Sequence, residues 1–317
     1  MAPLTLILSL LALSQLFPGE AATFTIINSC EYTVWPGILS NAGVSQLSTT
    51  GFSLQKGESR VINTPSGWGG RFWGRTLCSA DTPTGKFTCQ TGDCGSGKMD
   101  CAGAGAKPPA TLAEFTLDGA GGMDFYDVSL VDGYNLPMSV TPRGGRGTNC
   151  SITGCVGDLN GYCPPNLRVM SDEDGGGGRA VACRSACEAF NSPQYCCSGE
   201  YGSPDTCKPS SYSVVFKKAC PRAYSYAYDD KSSTFTCGGS PDYTITFCPS
   251  PNTSQKASSS EGQGASSSDA PGVFNSTMVY EGAMEDASTP NSQVLCLQLI
   301  TGSITALVTI LPLWQLF

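Results

Sequence analysis

The sequence contains no histidine. Imidazole is the base of the Ser-His-Asp triad, a common metal ligand and the ordinary titrating group near neutral pH, so its absence excludes these roles. Charged residues are also scarce, at 14% of the chain, and 18 lysines and arginines stand against 26 acids, for a net charge of −8. A nucleic-acid partner would need a basic face, which this balance argues against. Acid–base chemistry therefore falls to carboxylates, lysine or tyrosine.

Both ends of the chain carry apolar segments typical of targeting signals. Residues 1–22 hold an apolar run followed by small residues, which predicts a secretory signal peptide. Residues 294–317 are predominantly apolar, uncharged and long enough to cross a bilayer, but no Lys or Arg follows Lys256. A spanning helix usually has cytoplasmic basic residues, whereas a GPI-attachment signal ends in an apolar tail after small residues and a polar spacer. The pattern favours the GPI signal over a transmembrane helix.

Between these ends the sequence divides into a body and a linker. Residues 250–293 are rich in Ser and Gly, with little to bury, and predict an exposed stalk. Asn252 and Asn275 begin glycosylation triplets within it. Residues 23–249 then form the folded body. We expect a secreted glycoprotein held by a lipid anchor at the outer face of the plasma membrane, or located in the cell wall.

The cysteines point to a disulfide framework. Of the seventeen, sixteen lie in the body and one, Cys296, lies in the apolar tail. An even number in a secretory chain predicts eight disulfides. Zinc is the competing interpretation, but the sequence has no Cys-x-x-Cys pair and no histidine, so we expect neither a metal nor another cofactor. Spacing alone leaves the pairing open.

The first part of the body has the sequence pattern of an all-β sandwich. Short apolar segments with strand-like patterns are separated by Gly, Asp and Asn clusters. The clearest predicted strands are Phe24–Ile27, Arg71–Arg75, Thr111–Leu117 and Asp124–Val131. The chain returns to strand near Thr234–Cys237 and Tyr243–Cys248, so its first and last segments could pair.

The sequence pattern changes between residues 150 and 220. This segment holds nine cysteines and a run of glycines from Gly175 to Gly178 that can form no regular element. Short helices are predicted at Arg179–Phe190 and, after Pro209, at Ser211–Lys218. We interpret the segment as a disulfide-clamped lobe inserted into the sandwich.

One motif gives the body a family resemblance. The run Gly85-Lys86-Phe87-Thr88-Cys89-Gln90-Thr91-Gly92-Asp93-Cys94, closing at Cys101, resembles the signature of plant thaumatin-like proteins of the pathogenesis-related group. Further landmarks that resemble the family occur along the body: Thr33–Pro36, Thr111–Phe115, Tyr195–Cys197, Cys220–Pro221 and Phe247–Pro249. The resemblance implies a mainly β fold, a flattened antiparallel sandwich with an inserted disulfide-rich loop and short-helix lobe, and an acidic cleft between them.

The resemblance also implies a complete disulfide pairing. The sixteen cysteines occur in the family's order along the chain. The implied pairs are Cys30–Cys248, Cys78–Cys89, Cys94–Cys101, Cys150–Cys237, Cys155–Cys220, Cys163–Cys183, Cys187–Cys196 and Cys197–Cys207.

Five residues match the set that lines the cleft in antifungal members of the family. By motif these are Arg71, Glu114, Asp127, Asp132 and Asp229, although Asp230 leaves the last position open by one residue. Two of them are notable on the sequence alone. Glu114 lies on the opposite face of its predicted strand from its apolar neighbours, and Asp127 is an aspartate placed in mid-strand, where this residue type is disfavoured.

Clustered carboxylates of this kind suit glycoside recognition or hydrolysis. One carboxyl kept protonated by its neighbours can act as general acid while a second stays ionised as nucleophile or base. The candidates are Glu114 as acid and Asp132 as nucleophile or base, with retention or inversion undetermined. Nearby tyrosines either stack on sugar rings or pack the interior: Tyr126, Tyr134, Tyr224 and Tyr228.

Three functions remain open on the sequence. The first is a surface defence protein that binds β-1,3-glucan in the acidic cleft and is antifungal. The second is a weak endo-β-1,3-glucanase that uses the same carboxylates. The third is a non-catalytic interaction or inhibitor protein whose cleft is vestigial. Each is expected to act as a monomer.

Overall fold

The computed structural model describes residues 20–171 and 178–250 of the 317-residue chain. Most of the expected signal peptide, the stalk beyond residue 250 and the apolar tail lie outside the described residues, as do Asn252, Asn275 and Cys296. Within the described ranges, no helix is both long and apolar enough to cross a membrane.

Thirteen strands run through the described residues. In chain order they are β1 Glu20–Asn28, β2 Trp35–Ser40, β3 Ser59–Pro65, β4 Gly69–Ala80, β5 Phe87–Thr91, β6 Leu112–Thr116, β7 Asp124–Ser129, β8 Met138–Arg143, β9 Thr153–Cys155, β10 Arg168–Met170, β11 Ala180–Cys183, β12 Phe235–Cys237 and β13 Asp242–Phe247. The four strands expected most clearly from the sequence are present as β1, β4, β6 and β7.

The strands form two large sheets and one hairpin. One sheet has the order β3-β1-β13-β8-β9, the other has the order β12-β7-β6-β4-β2 with β5 paired to β4, and β10 pairs with β11. One pair departs from the antiparallel expectation, because β1 and β13 run parallel, with Phe24 opposite Tyr243. The first and last strands of the body thus lie side by side, and a parallel pair requires the whole intervening chain as its crossover.

Aromatic side chains fill the space between the two sheets. The ring of Phe24 on β1 lies 4.9 Å from that of Phe72 on β4 and 4.7 Å from that of Phe115 on β6. Tyr243 on β13 stacks on Phe24 at 5.4 Å, and Trp68 meets it edge-on at 5.8 Å. All five are nearly or fully buried. Aromatic pairs at these distances add to the free energy gained from burial, so this cluster fixes the two sheets face to face.

Eight disulfides staple the described residues, and they are the eight pairs that the resemblance implies. Cys30–Cys248 joins the two ends of the sandwich across a separation of 218 residues. Cys155–Cys220 joins the two ends of the lobe. Closing long loops removes entropy from the unfolded chain, which stabilises the fold by about 2–4 kcal/mol for a typical bridge.

The lobe contains the hairpin and most of the helices: α1 Ala186–Phe190, α2 Pro193–Cys196 and α3 Ser211–Ala219, with α4 Asp230–Ser233 following it. The helix predicted at Ser211–Lys218 is confirmed as α3. It begins at a capping box in which Ser210 Oγ accepts from the Ser213 N–H and Ser213 Oγ accepts from the Ser210 N–H.

The helix predicted over Arg179–Phe190 is wrong in its first half. Residues Ala180–Cys183 form β11, whose backbone pairs with β10. Helix α1 begins only after Ser185, whose hydroxyl caps it by accepting from the Glu188 N–H at 3.2 Å. Backbone pairing with β10 determines the strand conformation of Ala180–Cys183. Local helix propensity cannot predict a pairing with a separate segment of the chain.

A β-bridge between two residues joins the lobe to the sandwich just after the end of β7. Tyr134 and Cys183 exchange two backbone hydrogen bonds of 2.8 Å. Gly133 precedes this bridge with a φ of +89°, and a Cβ there would lie 2.6 Å from Pro109 and 2.7 Å from the Cys183 carbonyl. The close approach of lobe and sandwich at this point therefore requires glycine.

We expect Gly133→Ala to destabilise the protein by about 1–3 kcal/mol more than Gly43→Ala, because an overpacked contact must be relieved by moving the bridge. Gly43 is the matched control: its φ is +81°, and a Cβ there would meet nothing within 4 Å. Thermal unfolding of both variants checks the prediction, and equal melting temperatures would contradict it.

Candidate functional site

Three of the five candidate residues form one row across three adjacent strands. Arg71 on β4 lies opposite Glu114 on β6, and Glu114 lies opposite Asp127 on β7. On either side of this row, the neighbouring residues of β6 and β7 point into the core and are buried. Alternation along the strands therefore turns all three charged side chains to the outer face of the sheet. We call this set the acidic row.

Arg71 and Glu114 form a partly exposed ion pair. Arg71 Nε lies 3.5 Å from Glu114 Oε1, and their side chains are 35% and 33% exposed. The contact is an ion pair rather than a hydrogen bond, because Arg71 Nε has no hydrogen-bond partner. Burial raises the pKa of Glu114, Arg71 acts to lower it, and the charge of Asp132 raises it further. The guanidinium thus retains a buried N–H that could donate to a ligand oxygen.

Asp127 is the more strongly perturbed acid of the row. Burial, then the charge of Glu114, raises its pKa to about 8, with Arg71 opposing the shift and Asp230 adding to it. Its Oδ1 is buried and has no hydrogen-bond partner. At neutral pH the carboxyl is therefore mainly protonated, so it can both donate and accept a hydrogen bond.

Asp132 lies in the turn that follows β7, next to the bridge that joins the lobe to the sandwich. Its carbonyl accepts from the Ala110 N–H at 3.0 Å, which fixes the turn. Its charge helps to raise the pKa of Glu114 on the sheet and that of Glu188 on the lobe. The charge of Asp132 thus acts on one carboxyl of the sheet and on one of the lobe.

Asp229 is placed differently from the acidic row. Its Oδ2 pairs with Lys217 Nζ at 2.8 Å and accepts from the Ser225 N–H and hydroxyl at 3.0 and 2.9 Å. Burial acts to raise its pKa, but these contacts outweigh burial and hold the pKa below its usual range. Through these contacts, Asp229 links α3 to the segment before α4.

The adjacent Asp230 is the acid whose charge reaches Asp127. It is exposed, and its Oδ1 accepts from the Tyr224 hydroxyl at 2.8 Å. Its charge contributes to the raised pKa of Asp127. Of the two neighbouring aspartates that the sequence left open, Asp230 is the one coupled to the acidic row.

Two residues of the lobe were missed by sequence reasoning. Glu188 on α1 has a pKa raised to about 7 by burial, with Arg184 opposing and Asp132 adding to the shift. Glu188 Oε2 and Arg184 Nε are both buried without a hydrogen-bond partner. The Tyr134–Cys183 bridge brings this pair towards Asp132 from far along the chain. No motif points to them: their signal in the sequence is that Arg184 directly follows Cys183 and Glu188 directly follows Cys187.

Comparison with known proteins agrees with this architecture. The sequence profile of the thaumatin family matches residues 28–249, most of the chain. The chain belongs to the thaumatin family. Thaumatin-like protein 1 of Arabidopsis thaliana is 58% identical over 241 residues, which cover 74% of this chain and 89% of that protein.

Two further relatives of this thaumatin-family chain carry more specific names. A protein of Prunus avium named glucan endo-1,3-beta-glucosidase is 54% identical, covering 78% of this chain and all of that protein. The PR5-like receptor kinase of Arabidopsis thaliana is 54% identical over 76% of this chain but only 36% of the kinase.

The tyrosines divide between packing and the site. Tyr126 and Tyr134 are 1% and 0% exposed, and their hydroxyls donate to the carbonyls of Ser151 and Gly157. Stacking on a sugar is therefore the wrong interpretation for these two, which pack the interior of the thaumatin fold. Tyr224 and Tyr228 are half-buried, and the Tyr224 hydroxyl is engaged by Asp230.

We expect Asp127→Asn to remove part of the pH dependence of stability. An aspartate with a pKa of about 8 in the folded state and about 3.9 when unfolded binds more protons when folded, so stability falls as pH rises between these values. The slope from this group is at most about 1.4 kcal/mol per pH unit.

Denaturant unfolding of the wild type and Asp127→Asn between about pH 5 and about pH 8 measures this effect. The variant should gain stability relative to the wild type as pH rises. The exposed Asp205→Asn provides the control with the same charge change. Parallel curves for Asp127→Asn and the wild type would contradict the raised pKa.

Proposed function

We propose that this thaumatin-like protein is an extracellular, defence-type protein that binds β-1,3-glucan of fungal walls on the acidic row and is antifungal. The observation that carries the proposal is that two buried polar atoms of the row lack hydrogen-bond partners. Arg71 Nε and Asp127 Oδ1 are buried without hydrogen-bond partners. A buried group left unpaired costs about 1–3 kcal/mol, which a ligand hydroxyl would recover.

The chemistry of the row suits a polyol. A sugar hydroxyl is both a donor and an acceptor, so different hydroxyls of one sugar ligand can accept from Arg71 Nε and donate to Asp127 Oδ1. Asp132 and the Arg184–Glu188 pair offer a similar combination on the lobe side, again with buried groups that lack partners. Two such anchors would suit a ligand with regularly repeated hydroxyls better than a small ion.

The relatives and the disulfides support the proposed setting. The Prunus avium relative is named for action on 1,3-beta-glucan, which makes this polysaccharide the first ligand to test. Eight disulfides in the described residues suit an oxidising compartment outside the cell. The signal peptide, glycosylated stalk and lipid anchor expected from the sequence would hold such a protein at the cell surface.

Binding is tested by pull-down on insoluble β-1,3-glucan. We expect Asp127→Ala and Asp132→Asn to lower the bound fraction about tenfold, because each removes a group that faces the ligand. Asp205→Asn, exposed and remote in sequence from the row, should bind like the wild type. Wild-type protein that stays in the supernatant would refute the proposal and favour the non-catalytic interaction or inhibitor role instead.

A second candidate is weak endo-β-1,3-glucanase activity, favoured by one observation. Glu114 has the raised pKa that a general acid needs, and Asp132 lies close enough for its charge to contribute to that shift. In this role Glu114 would protonate the leaving oxygen, and Asp132 would act as nucleophile or base.

Reducing ends released from laminarin decide between binding and hydrolysis. If Glu114 is the acid, Glu114→Gln should lose at least about a hundredfold in rate while still binding glucan, the contribution expected of general acid catalysis. The exposed Glu200→Gln is the matched control. A Glu114→Gln protein as active as the wild type would remove this assignment, and no release by the wild type would leave binding alone.

A further inference from the structure

A groove of about 750 Å³ lies apart from the acidic row, between the sandwich and the lobe. One wall is formed by the far ends of β4 and β5, and another by the segment that leads into β2. The lobe closes it with β11. None of the acidic-row residues lines it, and its volume is in the range of pockets that hold small molecules.

The described residues that line the groove are almost all uncharged. Hydroxyl and amide side chains dominate its polar part, and no aspartate or glutamate is among them. The one charged lining residue is Arg179, whose side chain is 79% exposed and lies 4.0 Å from Asp158. A strongly charged ligand would find little to neutralise it here.

One buried acceptor in the lining has no partner. Asn160 is 9% exposed, and its Nδ2 donates to the carbonyls of Asn135 at 3.0 Å and Val181 at 3.1 Å. These two bonds fix the orientation of the amide. Its Oδ1 is buried without a hydrogen-bond partner. Asn160, a lining residue of the groove, thus carries a buried acceptor whose desolvation no group of the described residues compensates.

The apolar part of the lining is unusually exposed. Tyr32 is 46% exposed, and Trp35 is half-buried with its ring 6.2 Å from that of Phe87. Leu77 is 39% exposed and holds a φ of +53°, in the left-handed region that is costly for a leucine. Backbone strain of this kind collects at ligand-binding positions.

We propose that this groove is a second binding site, for a short neutral oligosaccharide. Sugar hydroxyls would donate to Asn160 Oδ1 and pair with the surrounding amides and hydroxyls, while the C–H faces of the rings rest on Tyr32, Trp35 and Leu77. A purely apolar ligand would leave Asn160 Oδ1 unpaired and would be rejected for that reason. The proposal is independent of what the acidic row binds.

The tryptophan indole N–H signals provide a direct test. The secreted protein, labelled with ¹⁵N and purified as cells process it, is titrated with laminaritriose, cellotriose and mannotriose. We expect at least one of them to shift the Trp35 signal. Trp68 and Trp73 are internal controls, because both are 0% exposed and their Nε1 atoms donate to Ser40 Oγ and the Gly92 carbonyl.

Two variants examine the groove without endangering the fold. Leu77→Gly relieves the left-handed strain while removing the apolar contact, and Tyr32→Ala removes an exposed ring; each should raise the Kd about tenfold. Tyr162→Ala removes a ring that is 80% exposed and does not line the groove, so its Kd should be unchanged. Asp127→Asn should also leave it unchanged, which separates this site from the acidic row.

Three results would overturn the proposal. The first is that none of the trisaccharides shifts the Trp35 signal. The second is that Leu77→Gly and Tyr32→Ala bind as tightly as the wild type. The third is that trigalacturonate, a charged trisaccharide, binds more tightly than every neutral one.

Discussion

The alternation of side chains along β4, β6 and β7 is the constraint on which the rest of the molecule depends. Phe72 and Phe115 point inward to the aromatic cluster that joins the two sheets, and Arg71, Glu114 and Asp127 must then point outward. A slip of one residue in any of these strands would bury charge in the core and expose the aromatic rings. The packing that stabilises the sandwich thus also aligns the acidic row.

The alignment of the acidic row has an electrostatic cost, which interactions elsewhere in the fold offset. Burial of Glu114 and Asp127 outweighs the help of Arg71, so both carboxyls have raised pKa values. Ionising them at high pH works against folding. Eight disulfides, including one across 218 residues, constrain the unfolded chain and can offset such a cost.

Sequence reasoning succeeded where the deciding interaction is local or carried by a family motif. The helix at Ser211–Lys218 and the outward position of Glu114 can be derived from neighbouring residues, and the disulfide pairs follow from the resemblance. Sequence reasoning failed where contacts between separate segments of the chain determine the structure. Backbone pairing turned Ala180–Cys183 into a strand, and the ion pair with Lys217 distinguishes Asp229 from Asp230, a choice that the sequence left open. The position of Glu188 depends on a bridge between segments that no spacing rule connects.

The missing histidine takes a different meaning once these long-range contacts are known. Without imidazole, a protein would ordinarily have no side chain that titrates near neutrality. Here Asp127 has a pKa of about 8 and Glu188 a pKa of about 7, and burial is the largest cause in both. Folding therefore moves two carboxyls into the range that histidine would have occupied. Unlike an imidazole, each is neutral when protonated and anionic when not, so it can donate to a sugar hydroxyl at low pH and repel its acidic neighbours at high pH.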